Sequence, residues 1–404
     1  MMMYLKLAWR NIWRNKKRTW ITASSIAFAV FFASVMQSMQ LGSYERMIEN
    51  SVRFQTGHIG VHEVSYWDEQ ILDNSFDQAA ITDDLLRHDH VELIVPRLSS
   101  FALAAYEDRT KGVMVNGIDL ERESKLTMID KKVVAGALGV SGGAMVAEGL
   151  ADYLKVGIGD TIVLISSGYR GVNAAGKYPV AAILKFPVPE MNKGMVYLEL
   201  EEAQYFFGAE GRLTTFSLLI DDPANTEIVK SAIVANMSSY QMDVMTWREM
   251  LPELLQSIEL DYYGGLIMIY ILYAVIGFGI FGTFIMMAKE RTYEFGILVS
   301  IGMKKVKIMW MVFIELLMLT FFGVLLGLMI SSPLIIYMFN NPIRVTGEMA
   351  AAYEKFGMEP ILPFSMDPTV FYSQGFVIFI ITLLLSIYPM LAIGQLKIIK
   401  ALKE

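Results

Sequence analysis

The chain has 404 residues, 54% of them hydrophobic and only 19% charged, with a mean hydropathy of +0.43. A soluble protein of this length rarely reaches such a value, so the apolar excess belongs in a bilayer; disordered, polyanion-binding and small disulfide-framework classes are excluded. Net charge is −7, which gives no general affinity for nucleic acid, and the absence of cysteine removes disulfides, thiolate metal sites and cysteine nucleophiles.

Residues 1–19 carry Lys6, Arg10, Arg14, Lys16, Lys17 and Arg18 without an acid. The first apolar run follows at 20–41 and barely covers a ~30 Å hydrocarbon core. A basic stretch before a short apolar one also describes a signal peptide, but three further spans favour an uncleaved first helix. Residues 42–263 turn acidic and turn-rich. Short strand-like runs (57–61, 113–117, 161–166, 195–200, 215–220) alternate there with helical patches (78–87, 147–154, 201–207, 222–237), the pattern of an α+β domain. Spans two, three and four are expected at 264–288, 308–338 and 369–394, with Glu315 inside the third and Pro389 near the end of the fourth. A loop at 289–307, another at 339–368 and a tail at 395–404 complete the chain. The expected fold class is therefore a membrane protein with four transmembrane α-helices and a large α+β extracytoplasmic domain between helices 1 and 2.

Charge orients the spans. The first 19 residues, the 289–307 loop and the tail together hold fourteen Lys and Arg against three acids, Glu290, Glu294 and Glu404. Lys and Arg near span ends stay on the cytoplasmic side, so both termini and that loop are expected inside, with 42–263 and 339–368 outside.

Most candidate chemistry fails on geometry. Gly171 to Tyr178 nearly spells a phosphate-binding loop, but Tyr178 replaces the required hydroxyl and Pro179 leads into a strand-like run rather than a helix. A flexible loop is the expectation. His58 and His62 are four apart on a strand-like stretch, roughly 13 Å between side chains and too far for one ion. His88 and His90 read as a solvated loop. No nucleophile–base constellation presents itself, so the chain is not expected to be an enzyme. Glu315 would cost roughly 2.5–3.5 kcal/mol facing lipid at mid-bilayer and is expected to snorkel or pair at the interface, or to couple helix motions. Gly323 and Gly327, with Gly277, Gly279 and Gly282, allow close helix approach within one protomer or across a dimer seam. With so little charge in the spans, a hydrophilic substrate has no path through them. Amphiphilic cargo is expected instead on an apolar surface formed by Phe28, Phe31, Phe32, Met36 and Met39 of span one and Leu266, Ile269, Tyr270 and Tyr273 of span two. The 289–307 loop places Glu290, Arg291 and Glu294 at helical spacing among Phe295, Ile297 and Leu298, as a surface helix docking on the membrane interface or on a cytoplasmic partner would.

This loop resembles the segment joining the second and third spans of the FtsX-like permease family of ABC transporters: E-R-x-x-E, an apolar residue, G-I, then a small residue and a final G. Glu290, Arg291, Glu294, Phe295, Gly296, Ile297, Ser300 and Gly302 match it. Leu7 to Thr19 is similar to the family's cytoplasmic amphipathic helix, and Tyr388-Pro389 to its ending, although Ile398 stands where a proline often follows. In the exported region, residues 56–62, 116–119, 134–136, 147–151, 156–160 and 200–204 are similar to the lipoprotein-releasing and macrolide-exporter branch, and residues 57–62 lean toward the lipoprotein-releasing side.

The resemblance implies a mechanotransmission permease. Glu290, Arg291, Glu294, Phe295, Gly296, Ile297 and Gly302 would seat a coupling helix in a cytoplasmic ABC ATPase dimer. ATP and Mg²⁺ would be handled by that partner, with no cofactor bound directly. A second permease copy or paralogue, a periplasmic carrier or adaptor and membrane lipid are the further implied partners. The implied work, at the bacterial inner membrane, is extraction of lipoproteins or another amphiphile. The alternatives are antibiotic or peptide efflux with an adaptor, and a non-transporting signal relay.

Overall fold

The computed structural model describes residues 2–14, 16–355 and 359–395, so the tail beyond Gln395 lies outside the described residues. In chain order the main elements begin with α1 (Met2–Arg14), α2 (Lys16–Ser51), β1 (Ile59–Glu63), β2 (Val91–Tyr106), β3 (Arg109–Ile118) and α3 (Leu120–Thr127). Strands β4 (Val133–Gly136), β5 (Ala144–Ala147), β6 (Thr161–Ser167), β7 (Asn173–Leu184), β8 (Met195–Glu199) and β9 (Thr215–Ile220) follow. Then come α4 (Thr226–Asn236), β10 (Met242–Thr246), α5 (Pro252–Glu290), α6 (Thr292–Ser300), α7 (Lys305–Asn340), α8 (Pro368–Leu385) and α9 (Ile387–Gly394). The chain divides into two units, one of residues 1–45, 258–344 and 361–404, the other of 46–257 and 345–360.

The second unit is a mixed sheet of ten strands in the order β10-β1-β9-β2-β3-β8-β5-β7-β4, with β6 bonded to both β2 and β7. That double pairing closes β2, β3, β8, β5, β7 and β6 into a ring, which leaves those strands no free edge. Its filling mixes small, β-branched and larger apolar residues: Leu98, Ala102, Ala104, Val113, Val115, Ile162, Leu164, Tyr178, Val180, Ala182 and Val196 are buried there. A second core, built on Ile59, Val61, Phe216, Leu218, Val229 and Ile233, lies under β1, β9, β10 and α4. The long strand β2 serves both. Its residues 91–97 pair with β9, and 97–106 pair with β3.

One expectation changes here. The stretch containing Gly176 and Lys177 is not a flexible loop but part of β7, with Lys177 opposite Val163. Ala174, Tyr178, Val180, Ala182 and Leu184 point inward at period two, and the small residues between them hid the strand. The strand after Lys177 also removes the helix N-terminus that a phosphate loop needs. His62 is fully buried, its ring stacked 5.8 Å from Trp67, and His58 Nδ1 accepts the Ile220 N–H at 3.0 Å. Both histidines pack the fold. Burial holds each below the usual histidine value. The segment 345–360 belongs to this unit: Glu359 Oε2 accepts from Arg46 Nε at 3.1 Å and from Asn50 Nδ2 at 3.4 Å.

The first unit holds the membrane bundle. Helices α2, α5, α7 and α8–α9 are each long and apolar enough to cross a bilayer. At 36 residues α2 is about 54 Å long, so it outruns the apolar stretch that marks it. The fourth span breaks at Ser386 because the Pro389 ring clashes with the carbonyl four residues earlier, and α8 ends at that residue, Leu385. Asp367 caps its start by accepting the Thr369 N–H at 2.8 Å. Glycines set the spacing. A Cβ on Gly323 would lie 2.7 Å from Ile26, and one on Gly327 2.7 Å from Val30 and from the Ala27 carbonyl, so α7 rests backbone-close on α2. The G-x-x-x-G pair therefore packs within one chain. Gln374 does similar work with hydrogen bonds: Tyr273 donates to Gln374, which donates to Gln37, joining α5, α8 and α2.

Replacing Gly327 with leucine should overpack the α7–α2 seam and cost about 1–3 kcal/mol, read as a lower unfolding temperature in detergent. Gly279→Leu, whose Cβ meets nothing within 4 Å, should leave it unchanged. Equal effects would show that the seam is not tight.

Candidate coupling site

The turn after the second span is built around one buried cation. Helix α5 stops at Glu290, the chain bends at Arg291, and α6 runs for nine residues before it stops. Its end is a Schellman motif: Met303 N–H bonds the Leu298 carbonyl and Gly302 N–H the Val299 carbonyl, both at 3.0 Å, with Gly302 at φ +96°. Only glycine takes that conformation without strain. The Gly302 expected at an ATPase contact thus has a local task, to end α6 and release α7.

Arg291 is 4% exposed and Glu315, on α7, is 0% exposed; Arg291 Nη1 donates to Glu315 Oε2 at 2.6 Å. Arg291 Nε also donates to Glu294 at 3.2 Å, and its guanidinium lies 5.3 Å over the Phe295 ring. Arg14 Nη2 reaches both Glu294 oxygens at 2.6 Å. The chain of charge therefore runs Arg14, Glu294, Arg291, Glu315 and links α1, α6 and α7. Burial works to raise the Glu294 carboxyl, but hydrogen bonds from Arg14 and Arg291 outweigh it and hold the group below the usual carboxylate range. Its pairing is thus present above the ordinary carboxylate value and fades as pH falls through the lowered one.

This geometry sorts the expected docking residues by exposure. Arg291, Phe295 and Gly296 are buried and face the bundle, and Glu294 is engaged by two arginines. What α6 turns outward is Tyr293 at 53% exposure, Ile297 at 37% and, at its end, Ile301 at 76%. These three are spaced by four, so they form one row on a helix. Exposed Lys289, Glu290, Lys304 and Lys307 rim it. Of the expected residues, Glu290, Ile297 and the turn at Gly302 are exposed, and Glu294 keeps a part-exposed carboxylate while it bridges Arg14 and Arg291. An apolar row with a charged rim on a short rigid helix is the form of a protein-docking surface. The signal was present in sequence as the Tyr293, Ile297, Ile301 spacing, masked by the stronger charge motif.

Known proteins carry the same two parts. The FtsX-like permease C-terminal family matches residues 266–398, and the MacB-like periplasmic core domain matches residues 19–236, more than half of the chain. The chain belongs to the FtsX-like permeases with a MacB-like periplasmic core. It is 22% identical over 336 residues to the lipoprotein-releasing system transmembrane protein LolC of Neisseria meningitidis serogroup B, covering 78% of each chain. Among solved structures it is similar to the periplasmic region of MacB from Actinobacillus actinomycetemcomitans (12% identity, 53% of this chain and 98% of that one, TM-score 0.37). It is likewise similar to the extracellular domain of the noncanonic ABC-type transporter YknZ from Gram-positive bacteria (14% identity, 46% and 99%, TM-score 0.34). The permease is a multi-pass inner-membrane subunit of the ABC class, whose members work with cytoplasmic ABC ATPases.

The expected cargo surface is only partly a surface. Phe28, Phe32 and Tyr270 of the permease are exposed, and the Phe28 and Phe32 rings lie 4.4 Å apart. Phe31, Met36, Met39 and Leu266 are half-buried. Ile269 is buried, and Tyr273 turns inward to bond Gln374. Within the single chain these two are therefore not open surface.

Breaking the buried pair by Glu315→Gln should cost about 3–5 kcal/mol, whereas Arg291→Met with Glu315→Leu should recover most of it. Unfolding temperatures of the purified variants check this. A single variant as stable as the wild type would contradict the pairing.

Proposed function

We propose that this chain is the permease subunit of a mechanotransmission ABC transporter that extracts lipoproteins, or another amphiphilic cargo, from the outer leaflet of the inner membrane. The observation that carries the coupling is the outward row Tyr293, Ile297 and Ile301 on a helix anchored to α7 by the Arg291–Glu315 pair. A helix so mounted moves only with its span, so a partner gripping that row moves the bundle. The ATPase, holding ATP and Mg²⁺, grips it from the cytoplasm, where the basic excess of 1–19, 289–307 and the tail keeps both termini. A second permease copy or paralogue completes the transporter, and a periplasmic carrier or adaptor receives the cargo. Similarity to LolC supports the lipoprotein substrate. So does the paucity of charge in the spans, which gives a hydrophilic solute no path and leaves exposed Phe28, Phe32 and Tyr270 to meet acyl chains. The MacB-like core favours a second reading, efflux with an adaptor.

In vesicles holding the permease, its cognate ABC ATPase and a triacylated lipoprotein, ATP should release the lipoprotein to a soluble acceptor. Ile297→Arg should abolish both release and co-purification of the ATPase, while Tyr205→Arg, at an exposed site in the second unit, should leave both intact. An Ile297→Arg variant that still binds the ATPase would overturn the docking face. Full ATPase coupling without lipoprotein release would overturn the cargo and favour efflux.

A further inference from the structure

The far end of α2 is held by a second buried ion pair that the coupling site does not use. After Ser51 the helix loosens into a single π-turn, Val52–Thr56, closed by the Gly57 N–H on the Val52 carbonyl at 2.7 Å. Helix ends leave carbonyls without partners, and a cation there also meets the negative end of the helix dipole. Arg97 supplies both: its Nη1 donates to the Gln55 carbonyl at 2.7 Å. The rest of its guanidinium forks onto Glu123 of α3, Nε at 2.9 Å and Nη2 at 2.6 Å, with Nη1 also 3.4 Å from the Ser217 hydroxyl of β9. Both charged side chains are buried.

Its place in the sheet matters more than its strength. Arg97 is the residue at which β2 changes partners, opposite Thr215 of β9 on one side and Ile118 of β3 on the other. It stands between the closed ring and the outer core under α4. The helix end itself is seated on the outer core: a Cβ on Gly57 would lie 2.9 Å from Leu218 N and O, His58 N–H bonds the Leu218 carbonyl at 2.8 Å, and Trp247 N–H bonds the His58 carbonyl at 3.0 Å. One planar fork therefore ties the end of a membrane helix to α3 and to the strand shared by both cores. A buried ion pair is a poor way to gain stability, since apolar residues of similar volume often do as well. Its geometric specificity is what an apolar contact lacks.

We propose that Arg97 is a positioning residue that converts movement of α2 into movement of the closed ring against the outer core of the exported domain. This rests on the mechanotransmission reading. A tilt or twist of α2 displaces the Gln55 carbonyl, the guanidinium follows it, and Glu123 carries α3 along.

The test uses the full complex with its ATPase. Because the chain has no cysteine, spin labels can be placed without removing any. One pair, Val172→Cys with Ile228→Cys, spans ring and outer core; a second, Phe28→Cys with Tyr270→Cys, reports α2 against α5. All four sites are exposed. In the wild type both distances should shift between the nucleotide-free and vanadate-trapped states. Arg97→Met with Glu123→Leu should keep the shift at 28/270 and ATP hydrolysis while losing the shift at 172/228. Arg97→Lys, which keeps the charge beside Glu123 but cannot form the fork, should lose it too and covers the case in which the double variant does not fold. A 172/228 shift of wild-type size in Arg97→Lys would overturn the inference. A wild type in which neither pair moves would overturn the mechanotransmission reading beneath it.

Discussion

An acid buried in a membrane span must find a cation, and in this permease Glu315 finds Arg291. Position 315 lies ten residues into α7, about 15 Å along the helix, so the arginine has to be drawn up into the bundle from the preceding turn. That requirement fixes where α5 ends and forces the bend at Arg291. It also decides which side of α6 faces inward. With Arg291 and Phe295 committed to the interior, the 3.6-residue period leaves Tyr293, Ile297 and Ile301 outside. The outer half of the charge chain is weaker. Arg14 and Glu294 are partly solvated, where a pair contributes about 0–1 kcal/mol, so α1 is tethered to α6 rather than fused with it.

The same economy of polar groups recurs along α2. Near its start it accepts the close approach of Gly323 and Gly327. Further along Gln37 joins Gln374 and Tyr273, and Tyr44 donates to Asp261 of α5 at 2.7 Å. Beyond its end the Gln55 carbonyl meets Arg97. Its membrane-spanning part is mostly apolar, and specific hydrogen bonds sit where it meets α5, α8 and the strand β2.

Much of this was legible from residue type and spacing. The four spans appear as long apolar runs, and an acidic, turn-rich stretch with strand periods marks the α+β domain between the first and second. The loop after span two could be read as a docking helix from its charge spacing. What was not legible has a common cause: long-range pairing overrides local pattern. Arg291 and Glu294 look like surface charges until Glu315, 24 residues beyond Arg291, claims the arginine. Arg97 and Glu123 are 26 apart, and nothing local to either predicts burial. The strand at 173–184 was concealed by alanines and glycine, residues with little β-propensity. Ile269 and Tyr273 look like lipid-facing residues of an apolar helix, and only Gln374 on another span shows which way that helix turns.

If Arg291 buried against Glu315 fastens α6 to α7, the two helices move as one. Spin labels at exposed Ser300 of α6 and exposed Phe321 of α7 measure it in the assembled transporter. The account predicts one narrow distance distribution, unchanged by ATPase binding or trapped nucleotide, that broadens when Glu315 becomes glutamine. A wild-type distribution that shifts with nucleotide, or one that stays narrow in Glu315→Gln, would contradict it.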